Sequence, residues 1–181
     1  TREARNWKLN PTILTAERGD LTDIEDNCDI IVSSYDAASE TILDGFIIEG
    51  AYGYGPAGIY LSNSSARHLI NHCVIRNNNG SQAGGLLAEY IDQLYISNTL
   101  IHHNQANYGA GGLLSVNDKD EQFTQISNSV IAYNTGLIFG GVGSIGAMTI
   151  QNSVLWGNQI DGSATAVGAD IAVSSEYITV D

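Results

Sequence analysis

One nine-residue phrase, Ile96-Ser97-Asn98-Thr99-Leu100-Ile101-His102-His103-Asn104, returns along the chain with its key positions unchanged, and it restricts the fold more than any other feature. Copies run from Ile70 to Asn78, Ile126 to Asn134 and Ile150 to Asn158, with a looser first copy from Leu43 to Ala51. Their last asparagines, Asn78, Asn104, Asn134 and Asn158, share one register. A second phrase follows each copy, two small residues and then an aliphatic: Ala57-Gly58-Ile59, Gly84-Gly85-Leu86, Gly111-Gly112-Leu113, Gly140-Gly141-Val142 and Ala169-Asp170-Ile171. A weaker alternating element closes each unit, as in Leu94/Ile96, Thr124/Ile126, Met148/Ile150 and Ile178/Val180.

Repeats built of short β-prone runs and Gly/Asn/Ser turns, with no helical apolar period, predict an all-β chain whose coils stack as a parallel β-helix. Equivalent residues of successive coils then lie on neighbouring strands about 4.8 Å apart, and columns of like residues become ladders. The Asn column is expected to hydrogen-bond along the axis through its side-chain amides. Five regular coils are expected over 41–66, 67–92, 93–121, 122–146 and 147–176 within a repeat region of 41–181, with 1–40 as irregular N-terminal coils or a partial cap. Longer insertions fall at Ala51 to Pro56, Asn117 to Glu121 and Gln159 to Ala166.

Side chains alternate along a strand. The fourth position of the phrase (Phe46, Cys73, Thr99, Ser129, Ser153) and the sixth (Ile48, Ile75, Ile101, Ile131, Leu155) are read as inward. The fifth column, Ile47, Val74, Leu100, Val130 and Val154, then faces out, and an outward aliphatic stripe of that length suggests a cover: a loop, another domain or a second molecule. The seventh column carries Glu49, Arg76, His102, Ala132 and Trp156, with Asn77, His103 and Tyr133 beside it. Of these, Glu49, Arg76, His102, His103, Tyr133 and Trp156 can hold a sugar by stacking and bidentate hydrogen bonds. The competing reading is a cross-strand Glu49–Arg76 ion pair on an ordinary β-surface. No second carboxylate is forced near Glu49, as a paired-carboxylate hydrolase requires, so no catalytic residue is assigned.

Pro11-Thr12-Ile13-Leu14, Leu43-Asp44-Gly45-Phe46-Ile47-Ile48, the Asn-Ser-Val-Ile/Leu phrases, and Trp156-Gly157-Asn158 followed by Gly168-Ala169-Asp170-Ile171 carry a family resemblance. The chain resembles bacterial extracellular right-handed parallel β-helix repeat proteins, the pectate-lyase-like superfamily in its broad sense, and especially its branch related to polymorphic outer-membrane protein repeats. That resemblance implies a right-handed solenoid in a secreted or cell-surface bacterial setting. The chain opens at Thr1 without an initiator Met and stops at Tyr177 to Asp181 as another strand starts, so a segment of a longer chain is expected. Lyases of the superfamily combine a calcium-binding carboxylate cluster with a basic residue that takes a proton beside the uronate carboxylate. Here Arg76 is the one such base in a repeat column and Glu49 the one acid, so the resemblance stops at the scaffold.

A formal charge of −13 with seven basic residues argues against nucleic acid as a partner. No apolar run is long enough to span a bilayer as a helix. Cys28 and Cys73 lack metal-type spacing, and Cys73 falls in an inward column. His68 and His72 do not share a helical face, so no zinc pair is assigned and no metal or cofactor is expected. Gly53-Tyr54-Gly55-Pro56-Ala57-Gly58 and Gly141-Val142-Gly143-Ser144-Ile145-Gly146 match a dinucleotide fingerprint in letters only, since neither opens a helix. Asn117-Asp118-Lys119-Asp120-Glu121 and the patch of Asp20, Asp23, Glu25 and Asp26 read as solvated acidic turns rather than calcium loops. The function expected is a non-enzymatic structural, adhesive or self-associating module, with the chain itself or a surface glycan as partner. A carbohydrate-active enzyme or glycan-binding module on the outward face is the alternative.

Overall fold

A computed structural model of the chain describes residues 9–20, 22–56, 58–161, 170–173 and 178–180. These residues form a parallel β-solenoid of about five turns. Ala57, Ala169 and the part of the 159–166 insertion beyond Asp161 lie outside them.

The coils contribute to three sheets, the first two coils to the first and third alone. The first has six strands, Thr12–Thr15, Phe46–Glu49, Val74–Arg76, Leu100–His102, Val130–Ala132 and Val154–Trp156, stacked in that order. The second has four two-residue strands, Asn79–Gly80, Gln105–Ala106, Thr135–Gly136 and Gln159–Ile160. The third bends round the remaining two sides, with Ile59–Asn71 and Leu86–Ser97 crossing the bend unbroken and later coils splitting into pairs such as Leu113–Val116 and Phe123–Ser127. Partners in the ladders are 27, 26, 30 and 24 residues apart from Ala51 through Asn158. The longest interval contains the acidic turn Asn117 to Glu121, and the shortest turns the same bend with Gly146 alone, at φ +101.

Five of the six first-sheet strands are short because a left-handed residue stands at each end of them. Gly45, His72, Asn98, Asn128 and Asn152 precede the strands, and Gly50, Asn77, His103, Tyr133 and Gly157 follow them, all with φ between +47 and +86. Glycine and asparagine adopt this conformation at little cost, whereas histidine and tyrosine carry a Cβ penalty there.

Behind the second corner, the Asn78, Asn104 and Asn134 amides each donate to the next asparagine at 2.9–3.0 Å and to a first-sheet carbonyl, Ile48, Ile75 or Ile101, at 3.0–3.2 Å. Each Oδ1 also accepts the backbone N–H of the preceding rung at 3.0–3.1 Å. A second ladder runs behind the first corner. Thr99 and Ser129 hydroxyls donate to the carbonyl two residues back at 2.8 Å and accept a backbone N–H of the neighbouring coil at 3.1–3.4 Å. These two columns satisfy the polar backbone that the corners release from the sheets.

Between the corners, Ile48, Ile75, Ile101 and Ile131 are fully buried, and with Ile59, Leu86, Leu113 and Val142 from the third sheet they form one continuous core. Gly85, Gly112 and Gly141 sit where a Cβ would stand about 2.5 Å from the carbonyl of the next coil and against a ladder asparagine. The strands within 1–40 join the same frame: Thr12–Thr15 pairs in register with Phe46–Glu49, and Val32–Tyr35 with Ile59 to Ser62. That coil carries no ladder asparagine and no glycine pair, so its membership is invisible to a search for the repeat.

Candidate functional site

On the three-residue strands of the first sheet, the fifth and seventh positions of the phrase project outward and the sixth inward. The fifth column is aliphatic on all six strands, since Ile13 pairs with Ile47 and extends it. Ile13, Val130 and Val154 are 47, 37 and 55 % exposed, while Ile47, Val74 and Leu100 are half-buried. A shallow groove of about 480 Å³ runs beside them, lined by His72, Val74, Asn98, Leu100, Asn128 and Val130.

In the seventh column, Arg76 Nε donates to Glu49 Oε2 at 2.6 Å, a cross-strand pair between half-buried side chains. His102 follows Arg76 in register and Ala132 follows His102. Ala132 is buried, and Trp156 beyond it is 64 % exposed. Burial, followed by the charges of His103 and Arg76, holds the His102 imidazole below its ordinary pKa.

The left-handed corner brings the eighth column onto the same face. His103 turns its Nδ1 to within 2.7 Å of His102 Nδ1, and its ring lies 5.4 Å from the Tyr133 ring at a 36° tilt. Tyr133 rests on Gly157, where a Cβ would stand 2.8 Å from a ring carbon. The structure therefore groups Glu49 with Arg76, and His102 with His103 and Tyr133, while Trp156 has no aromatic contact among the described residues. Asn78, Asn104, Asn134 and Asn158 are buried behind this face and take no part in it.

Two features here were not read from the repeat. One is the His102–His103 contact, which exists because the corner reverses the usual strand alternation. The other is the corner itself, whose signal was the column Gly50, Asn77, Gly157 interrupted by His103 and Tyr133.

Elsewhere, His68 is buried, with Nε2 2.8 Å from Ser64 Oγ and Nδ1 2.5 Å from Thr41 Oγ1. The Ser64 hydroxyl donates to the Ala37 carbonyl at 2.9 Å, so its hydrogen is directed away from the imidazole and the pair lacks the arrangement of an activated nucleophile. Cys73 is a buried thiol, and burial raises its pKa, which leaves it unreactive. Among the described residues no group of three or more His, Cys, Asp or Glu converges. No helix among them is long and apolar enough to cross a membrane.

Compared with known protein families, curated proteins and solved structures, the chain matches none. The class is set by its own geometry, a parallel β-solenoid with an aliphatic outward column and an adjoining polar and aromatic one.

Proposed function

We propose that the chain is a non-enzymatic module of a bacterial secreted or cell-surface protein, with a structural or adhesive role exercised by weak self-association through the outward face of the first sheet. One observation carries this reading: the fifth column is aliphatic on six successive strands and stays partly open to solvent. Charge supports it. In a chain of net charge −13, the first-sheet strands and their corners from Val74 to Asn158 carry no carboxylate, and Glu49 above them is paired with Arg76. Copies meeting on this face avoid the repulsion that other approaches incur.

Size sets the strength. Six strands about 4.8 Å apart and about five residues wide present roughly 400 Å² per partner, and roughly 800 Å² in total is below the 1,200 Å² or more of stable complexes. The association is therefore weak and gains strength only when many copies are held together. Sedimentation equilibrium tests it: the average mass should rise with concentration in the high-micromolar range and stay monomeric in Val130→Lys with Val154→Lys. A wild-type chain that stays monomeric at millimolar concentration refutes the reading.

A glycan is the second reading, favoured by the tilted His103–Tyr133 pair and by Tyr133 and Trp156 standing 53 and 64 % exposed. Such rings offer stacking surface for a sugar. Binding on a panel of acidic and neutral polysaccharides, lost in Trp156→Ala and Tyr133→Ala, would support it.

A further inference from the structure

We propose that His102 and His103 form a binding site for a divalent late transition-metal ion, copper(II) in particular, on the outward face of the first sheet. Their Nδ1 atoms are 2.7 Å apart, with ring planes at 86°. Two ligands at right angles around an ion, each with a bond of about 2.0 Å, stand about 2.8 Å apart, and this is the tetragonal geometry that copper(II) prefers. Tetrahedral zinc requires about 3.3 Å at similar bond lengths. The spacing of the pair thus matches that of neighbouring ligands of a tetragonal ion, towards which each ring turns its Nδ1 from the line of their hydrogen bond.

Consecutive residues on a strand point to opposite faces, so neighbouring histidines ordinarily diverge. Here His103 occupies the left-handed corner at φ +53, and that turn returns its ring to His102. The same corner holds glycine or asparagine in three of the other four coils, residues that tolerate it more readily. The backbone is therefore held in a less favourable conformation that has the effect of converging two imidazoles.

In the metal-free pair, one Nδ1–H donates to the other Nδ1, and neither ring has another hydrogen-bond partner among the described residues. Binding requires both Nδ1 lone pairs. The Nδ1 hydrogen passes by way of water to Nε2 of its own ring, so both rings become Nε2–H tautomers and the ion binds without net proton release. Water fills the remaining positions, since His103 is exposed and His102 half-buried. Arg76 precedes His102 in the column and opposes a cation there, but Glu49 pairs with its guanidinium and offsets that charge. This site is independent of the self-association reading, and either can fail alone.

Calorimetric titration of the folded chain with copper(II) chloride, beside His102→Gln and His103→Asn, tests the site. Asparagine already occupies the same corner at Asn77, so His103→Asn preserves the backbone, and circular dichroism melts verify that both variants fold. The expected result is one copper(II) per chain, at least tenfold weaker binding in each variant, and an axial electron-spin signal with nitrogen couplings that the variants lose. His72→Asn, which leaves the pair intact, should change neither. Equal affinity and equal spectra in wild type and both variants, or no binding by the wild type, would overturn the proposal.

Discussion

Asp170 receives both nitrogens of Asn158, its Oδ1 lying 2.8 Å from the side-chain Nδ2 and 3.2 Å from the backbone N. Every earlier rung of the ladder is received by another asparagine. An amide accepts and donates, whereas a carboxylate only accepts, so aspartate is compatible with the last described rung and with no rung before it. Asn104→Asp would still accept from Asn78 but would turn a charged oxygen toward Asn134 Oδ1 and the Ile75 carbonyl. We expect it to cost about 3 kcal/mol or more, Asn104→Ala about 1–3 kcal/mol, and Asp170→Asn under about 1 kcal/mol. Urea unfolding followed by circular dichroism reads all three, and an unchanged midpoint for Asn104→Asp would show that the ladder does not hold the corner.

Neighbouring residues of one strand should differ widely in their effect. Ile131 is fully buried and Val130 is 37 % exposed. Truncating Ile131 to alanine removes core contacts and should cost about 2–5 kcal/mol, while Val130→Ala should stay below about 1 kcal/mol. Similar losses from both would mean that something covers the fifth column even in the monomer.

The acid limb of stability should respond to His68. Burial holds its pKa below the ordinary value of about 6.5, so the folded chain binds this proton less readily than the unfolded chain does. The corresponding stability is complete above pH about 6.5 and is lost as pH falls from there through the lower folded pKa. Denaturant midpoints between pH 7.5 and 5 should fall more steeply for the wild type than for His68→Gln, and parallel slopes would rule this contribution out.

Gly157→Ala tests the corner beneath Tyr133. The position has φ +65 and a Cβ there would meet the tyrosine ring. We expect a loss of about 1–2 kcal/mol from the backbone alone, together with a change in Tyr133 fluorescence as the ring leaves Gly157 and His103. Unaltered stability and fluorescence would show that the corner does not have this conformation.

The columns were legible because stacking repeats one environment per coil: Ile48, Ile75, Ile101 and Ile131 must all be apolar for any one of them to be buried. The corners were harder to see, because two of five occupants, His103 and Tyr133, are not residues that signal left-handed backbone. The hydroxyl ladder was read as an inward column without its partners, since Thr99 and Ser129 are bonded to coils 26 and 30 residues away. His68 was legible only as half of a rejected zinc pair and not as a buried, hydrogen-bonded ring, as its partner Thr41 lies 27 residues earlier. A first coil without an asparagine rung offered no repeat to find.

The paired corners have one further consequence. By confining the first-sheet strand to three residues in four of its six copies, they leave each of those strands two outward characters, at the fifth and seventh positions, as if two letters were printed per line at fixed line spacing. The paper is made elsewhere, from the isoleucine column and the asparagine rungs. Glu49, Arg76, His102, Ala132 and Trp156 share one typeface position with no common chemistry, so the text on this face can be rewritten line by line while the page beneath it stays whole.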